Sequence, residues 1–268
     1  MGANTKQLRN RIKSVNSTLH LTKAMGLVAS SKIRRATDAM NKSRQYTEAL
    51  KNVMDLLTLS SDCESSPFLA KERGNRTRIV IIAGDRGLAG GYNANIFRLA
   101  KEYPDAEFIP IGKRASDRYE GKPYLAETFS YGDANELAKE LCRDFEEGNF
   151  DTLGIISTKY VSMLTQEAHF TKILPFSKNP DTKPCGVIFE PDEATILKTA
   201  ITEYVAGIIV AHVRESFASE VASRRNAMDS AGKNAQEMID NLQLEYNRAR
   251  QGAITQELTE IVAGSGSQ

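Results

Sequence analysis

Proline placement is the feature that most constrains this chain. All eight prolines lie between residues 67 and 191, so neither the first 66 residues nor the last 77 contain one. Proline inside a helix costs about 3 kcal/mol or more, and long proline-free ends therefore favour long helices. We predict an N-terminal coiled-coil helix over residues 1–60, a central α/β domain over 61–202 and a C-terminal coiled-coil helix over 203–268.

Both ends also show the hydrophobic spacing of a coiled coil, with steps of three, four or seven residues. The predicted N-terminal seam is Leu8, Ile12, Val15, Leu19, Thr22, Gly26, Ala29, Ile33, Ala36 and Met40. The predicted C-terminal seam is Val210, Val213, Phe217, Met228, Ala231, Ala235, Met238 and Leu242. Small residues in the middle of both seams predict a close approach of the two backbones.

The order of the elements predicts an antiparallel pairing of the two helices. If one helix ends near residue 58 and the other begins near 203, facing residues have numbers that total about 261. The last apolar residues, Leu258, Ile261 and Val262, would then extend beyond the end of the partner helix. An apolar helix end in water is unfavourable, so we expect another molecule to enclose it.

The middle of the chain alternates between strand and helix patterns, which predicts a small sheet with crossover helices. The fold class is therefore α/β, a long antiparallel coiled coil with a small central α/β domain. The predicted strands are 78–83, 106–111, 153–162, 170–176 and 187–189, and the predicted helices are 93–102, 116–120 and 134–147.

Charge is distributed unevenly along the chain. Residues 1–52 hold eleven Lys or Arg against two acids, although the whole chain has a formal net charge of only +1. Three interpretations remain open: a solvated helix face, a nucleic-acid-binding surface, or a surface that bears on acidic protein loops. The arm lacks interleaved aromatic residues and any DNA-reading motif, which weighs against nucleic acid.

Catalytic and metal-binding patterns are weak. Cys63, Cys142 and Cys185 lie far apart and form no zinc motif, and the Ser, His and Asp residues are too scattered to nominate a triad. The glycine-rich loop 84–91 could in principle cradle a phosphate, but it has neither the GxGxxG nor the P-loop spacing. We predict a tight turn there, with no cofactor and no metal. A stand-alone enzyme that uses this loop remains an alternative.

The N-terminus has no signal-peptide pattern, and no apolar run reaches the roughly 18 residues of a spanning helix. We therefore expect that the chain does not cross a membrane by itself.

Three stretches of the sequence are distinctive: LTKAMGLVASSK at 21–32, DRGLAGGYN at 85–93 and YNRARQGAITQELTEIV at 246–262. Together they resemble the γ subunit family of F-type ATP synthases. The third is long and specific, and the three lie in the family's order, so the resemblance spans the chain. Two departures are Ala89, where the family usually has Cys, and Gly26, where a larger residue is common.

The resemblance implies a central-stalk rotor subunit that couples transmembrane ion flow to ATP synthesis or hydrolysis on partner β subunits and is not itself catalytic. The implied partners are the α3β3 hexamer, the ε subunit and the c-ring, with no nucleic acid. The implied location is the cytoplasmic face of the inner membrane, peripheral and attached through partner subunits, with a bacterial source favoured.

The resemblance also assigns roles to individual residues. Lys23 and Met25 would meet the moving acidic loop of a β subunit. Nearer the end of the C-terminal helix, loops of the α and β subunits would contact Arg250, Gln251, Thr255 and Glu257. The apolar end formed by Leu258, Ile261 and Val262 would lie in an apolar sleeve of the hexamer.

Overall fold

A computed structural model describes residues 2–69, 74–183 and 187–265. Cys185 lies outside the described residues. The helices are α1 (Gly2–Leu57), α2 (Tyr92–Ala100), α3 (Lys113–Ser116), α4 (Tyr131–Glu146) and α5 (Glu193–Ser265). The strands are β1 (Thr77–Ile82), β2 (Glu107–Ile111), β3 (Thr152–Tyr160) and β4 (Gln166–Leu174). The predicted fold class, α/β with long coiled-coil helices, is confirmed.

The chain forms two compact units. The coil unit contains the residues up to Ala29 together with those from Arg225 onward, and the sheet unit is Ser30–Arg224. Both terminal helices contribute residues to both units. The division of the chain at residues 60 and 202 stays a prediction.

The sheet has the strand order β2-β1-β3-β4. Strand β1 pairs in parallel with β2 and β3, and β4 pairs antiparallel with β3. Alternate residues of β1 enter different cores: Val80 and Ile82 pack with α4 and α5, whereas Ile79 and Ile81 pack with α2. Burial on both faces explains why β1 is a continuous β-branched run.

Three sequence predictions for this region are wrong in position. Residues 187–189 form no strand, and the short third helix is at Lys113–Ser116 instead of 116–120. Helix α5 begins at Glu193, ten residues before the predicted start. Asp192 caps it, because its carboxylate accepts a hydrogen bond from the backbone N–H of Thr195 at 2.8 Å.

In the coil unit, the predicted seam residues of α1 are buried or half-buried, including Leu19, Thr22 and Gly26. On α5 one predicted seam residue is wrong: Met238 is 45% exposed, and its neighbour Ile239 is buried against Leu19.

The register of the pair also differs from the expectation. A Cβ added to Gly26 would lie 3.8 Å from Met228 Cβ, and one added to Gly232 would lie 3.6 Å from Thr22 Oγ1. Both pairs have residue numbers that total 254, which is seven fewer than the predicted total of about 261. The early start of α5 at Glu193 explains much of this shift, because it lowers the number of every α5 residue that faces a given position of α1.

Among the described residues, α5 contains one window that is long and apolar enough to cross a membrane by length and composition alone. Several apolar residues of its N-terminal third, including Ile201, Val205 and Ile209, are fully buried in the core beside the sheet. Packing within the protein therefore accounts for the apolar composition of this part of the helix.

The narrow seam leads to a stability prediction at Gly26. We expect Gly26→Ala to raise the free energy of unfolding by about 0.5–1 kcal/mol, because alanine favours helix over glycine and an added Cβ makes only ordinary contacts of 3.6 and 3.8 Å. Gly26→Leu should instead lower it by about 1–3 kcal/mol, because the extra carbons overpack the seam. Urea unfolding followed by circular dichroism measures both. A stabilising Gly26→Leu would show that the seam is wider than described.

Candidate functional site

The first candidate surface lies on α1 in the coil unit. Lys23 is exposed and Met25 is half-buried beside the seam residue Gly26. Two large apolar residues nearby, Leu27 and Val28, are 73% and 58% exposed. They lie off the seam, and the sequence reasoning missed them. Their apolar character at non-seam positions was the available signal, and exposed apolar side chains of this size are typical of a surface that another molecule covers.

The second candidate surface lies near the end of α5. With 3.6 residues per turn, Arg250, Ile254, Glu257 and Ile261 fall on one face, and Leu258 lies beside them. All are exposed, with Ile261 at 62%. The structure therefore joins the predicted contact residues and the predicted apolar end into one continuous face.

Gln251, Thr255 and Val262 flank this face and are also exposed. The hydroxyl of Thr255 donates to the backbone oxygen of Gln251 at 3.0 Å, so its hydrogen-bonding capacity is partly met within the helix. Within the described part of the chain, neither Arg250 nor Glu257 forms an ion pair, and both charges are available to another molecule.

The two surfaces are separate. The observed register places Lys23 level with residue 231, nineteen residues before Arg250, which corresponds to about 29 Å along the helix. The two candidate surfaces are therefore distinct and lie at different positions along the coil unit.

The glycine-rich loop is built as a structural turn. The carboxylate of Asp85 accepts hydrogen bonds from the backbone N–H groups of Lys113, Ala126 and Glu127 at 2.9–3.0 Å. The side-chain oxygen of Asn93 accepts from the N–H of Gly84 at 2.9 Å. These bonds tie the loop to its surroundings, and one of its backbone donors, the N–H of Gly84, is already used within the protein.

A buried carboxylate behind the loop also disfavours an anion. A Cβ added to Gly84 would lie 2.8 Å from Glu220 Oε1. Arg224 pairs with Glu220 and donates to the backbone oxygen of Gly87 at 3.3 Å. Arg224 is thus already paired, as is Arg86 of the loop itself, which lies 3.3 Å from Glu127. The geometry supports the predicted turn.

A polar cluster in the sheet unit was not foreseen from the sequence. Ser157 Oγ and His212 Nδ1 are 2.8 Å apart, and the rings of His169 and His212 have centroids 5.6 Å apart. Burial lowers the pKa of His212 to about 4, and the neighbouring His169 contributes in the same direction. Ser157 is fully buried, so no substrate reaches its hydroxyl. This pair is therefore a packing feature and lacks the access that a nucleophile requires.

Metal binding has no support among the described residues, where no three His, Cys, Asp or Glu side chains come together.

Two adjoining cavities of about 280 and 530 Å³ lie between α1 and α5 in the sheet unit. Arg35 and Arg214 line both, over a floor that includes Ala39. Lys32 and Lys42 add to the positive charge of the groove, which Asp38 and Glu127 reduce without cancelling. Its net positive charge beside apolar side chains suits an acidic or amphipathic segment.

Comparisons with known proteins agree over the whole chain. A family model described as ATP synthase matches residues 4–267. The ATP synthase gamma chain of Ruminococcus albus is 40% identical, with 98% of each chain covered. The sodium-ion-specific ATP synthase gamma chain of Acetobacterium woodii is 35% identical, with 99% of each covered. In a solved mitochondrial ATP synthase of Euglena gracilis, one chain aligns with a TM-score of 0.70 at 18% identity, covering 100% of this chain and 95% of that one.

The buried imidazole of His212 leads to a pH prediction. Its pKa falls from 6.5 to about 4 on folding, so between these values the unfolded chain binds more protons and stability is lost as the pH falls. We expect His212 by itself to make the free energy of unfolding about 2 kcal/mol lower at pH 5 than at pH 7.5. Urea unfolding at the two pH values measures this. His212→Gln, which cannot titrate, should show a shallower pH dependence, and an equal slope in the variant would contradict the assignment.

Proposed function

We propose that this chain, which belongs to the ATP synthase gamma chain family, works as the central-stalk rotor subunit of an F-type ATP synthase. The observation that carries this conclusion is the match to gamma chains over essentially the full length of both proteins. The chain is thus a subunit of the ATP synthase complex. Its long helices α1 and α5, of 56 and 73 residues, suit a mechanical element.

The proposed mechanism is torque transmission. Ion flow through a membrane-embedded c-ring turns the sheet unit, and the asymmetric coil unit drives the nucleotide sites of the β subunits in sequence. In the reverse direction, ATP hydrolysis on the β subunits turns the coil and pumps ions. The ATP chemistry belongs to the partners. Two observations support a non-catalytic role for this chain: the glycine loop is held as a turn by Asp85, and Ser157 is buried beside His212.

Lys23 and Met25 are proposed to meet an acidic loop of a β subunit. The exposure of Lys23 supports an ionic contact, and the exposed Leu27 and Val28 would add apolar contact with the same loop. The basic N-terminal arm, which carries the same positive charge as Lys23, would steer an acidic loop towards the coil.

The face near the end of α5 is proposed to lie inside the hexamer. Arg250, Gln251, Thr255 and Glu257 would contact loops of the α and β subunits, and Leu258, Ile261 and Val262 would occupy an apolar sleeve. The support is their exposure, since enclosing exposed apolar side chains away from water lowers the free energy of the system.

The sheet unit is proposed to rest, with the ε subunit, on the c-ring. The chain would then be peripheral to the cytoplasmic face of a bacterial inner membrane and attached only through its partners. The cationic groove lined by Arg35 and Arg214 is a surface on which an acidic segment of such a partner could bind.

Reconstitution tests the function. The chain mixed with α and β subunits should yield an assembly with ATP hydrolysis that depends on all three, whereas the isolated chain should neither hydrolyse ATP nor bind it tightly. Tight ATP binding that Gly90→Val and Gly91→Val abolish would favour the stand-alone enzyme. Salt-dependent binding of duplex DNA would favour a nucleic-acid-binding protein.

Met25→Lys tests the first contact surface. A new cation beside Lys23 should form an additional charge-assisted hydrogen bond with an acidic loop, worth about 1.5–3 kcal/mol, which slows release of that loop by roughly tenfold or more. We expect an intact assembly with lower ATP-driven ion pumping in reconstituted vesicles. Lys139→Glu on the exposed side of α4 is a charge-changing control that should leave pumping unchanged. Normal pumping by Met25→Lys would remove Met25 from the contact surface.

A further inference from the structure

The part of α5 that crosses the sheet carries a line of polar side chains at helical spacing. We call it the polar stripe, and its members are His212, Glu215, Ser216, Ser219 and Ser223. Steps of four, three and four residues place His212, Ser216, Ser219 and Ser223 on one face of the helix, and Glu215 lies beside them. Ser216 and Ser219 are 1% and 0% exposed, in a core position where apolar side chains are the norm.

Every member of the stripe forms a hydrogen bond with β3 or β4. The bonds are His212 Nδ1 with Ser157 Oγ at 2.8 Å, Glu215 Oε1 with Tyr160 N at 3.0 Å, Ser216 Oγ with Thr158 N at 3.1 Å, Ser219 Oγ with Thr158 O at 3.3 Å and Ser223 Oγ with Gln166 Oε1 at 2.9 Å. The last residues of β3 are therefore bonded to α5 through both backbone and side-chain atoms.

Sheet geometry explains why these bonds are needed. Strand β3 pairs with β1 only as far as Ile156, but it continues to Tyr160. Beyond Ile156 the backbone groups that point away from β4 have no strand partner. Buried backbone N–H and C=O groups must be paired, and Ser216 and Ser219 serve as the partners of both groups of Thr158.

Two further bonds join the same part of α5 to neighbouring elements. The hydroxyl of Tyr92 donates to the backbone oxygen of Ser216 at 3.1 Å. Arg44 of α1 pairs with Glu215, the carboxylate that also accepts from Tyr160. Helix α5 is thus bonded to β3, α2 and α1 over a single turn.

Directional bonds hold a helix differently from apolar contacts. Apolar burial is non-directional, so small rotations of a helix on an apolar surface cost less than they do where directional bonds also hold it. Hydrogen bonds weaken steeply when their angle changes, and rotation of α5 would break several of them and leave buried groups unpaired.

We propose that the polar stripe is the clamp that fixes the rotation of α5 against the sheet, so that torque on the sheet unit passes into α5 without slip. This inference rests on the proposed rotor function and assigns positioning residues to it. The stripe contacts no nucleotide and carries out no chemistry. It sets the torsional stiffness of the connection between the sheet and the helix.

The test compares Ser216→Ala/Ser219→Ala with Val213→Ala. Val213 lies on the same part of α5 and is buried in the apolar core, so its truncation weakens packing without removing a directional bond. Each variant is assembled with α and β subunits, the hexamer is fixed to a surface, and a rod is attached to the sheet unit. Angular fluctuations of the stalled rod report the torsional stiffness.

We expect the double serine variant to increase the variance of the rod angle by about twofold or more, because it removes two directional bonds. The Val213→Ala variance should match the wild type, and hydrolysis without load should be unchanged in both. Equal broadening in the two variants, or none in the serine variant, overturns the clamp. If the double variant does not assemble, Ser223→Ala replaces it. We then expect a smaller increase in the variance of the rod angle, and no increase would contradict the clamp.

The wild-type protein in the same experiment distinguishes failure of the clamp from failure of the rotor function. If the wild-type chain assembles and supports hydrolysis but the serine variants have unchanged torsional stiffness, only the clamp is overturned. A wild-type chain that fails to support hydrolysis with α and β overturns the rotor function and the clamp together.

Discussion

The contact between α1 and α5 is the interaction on which the other features depend. Helices of 56 and 73 residues cannot bury an apolar stripe on a four-stranded sheet along their whole length, and isolated helices gain little from propensity alone. In the coil unit each helix must therefore bury its stripe on the other. Small residues such as Gly26 and Gly232 let the backbones come close enough for Leu19 and Ile239 to be buried.

The seam and the first strand could be predicted because both are local patterns. Each seam residue of α1 is identified by spacing along its own helix, and β1 by an unbroken run of β-branched residues. The register of the coil could not be predicted in this way. It depends on where α5 starts, and that start is set by a single capping residue, Asp192, which a pattern of apolar spacing beginning at Val210 does not reveal.

In the candidate site, too, local features could be predicted from the sequence and contacts between distant residues could not. Exposure of Lys23, Arg250 and Glu257 agrees with their polar character and could be expected. The approach of Ser157 to His212 could not, because 55 residues separate them and only the packing of β3 against α5 brings them together. Periodicity also treats Ser216 and Ser219 as interruptions of an apolar face. Their role becomes visible only in the structure, where β3 extends beyond the end of its pairing with β1 and the backbone of Thr158 has no strand partner on that side.

A rotor places different demands on the two units, and the residues differ accordingly. In the coil unit the two helices face each other through small and apolar side chains, which give close packing without strong directional restraint. In the sheet unit α5 is held by serine and glutamate side chains bonded to backbone atoms of β3, and by His212 bonded to the side chain of Ser157. If the sheet is where torque enters, directional bonds belong there, because burial alone resists separation of the helix from the sheet far better than it resists rotation of the helix in place.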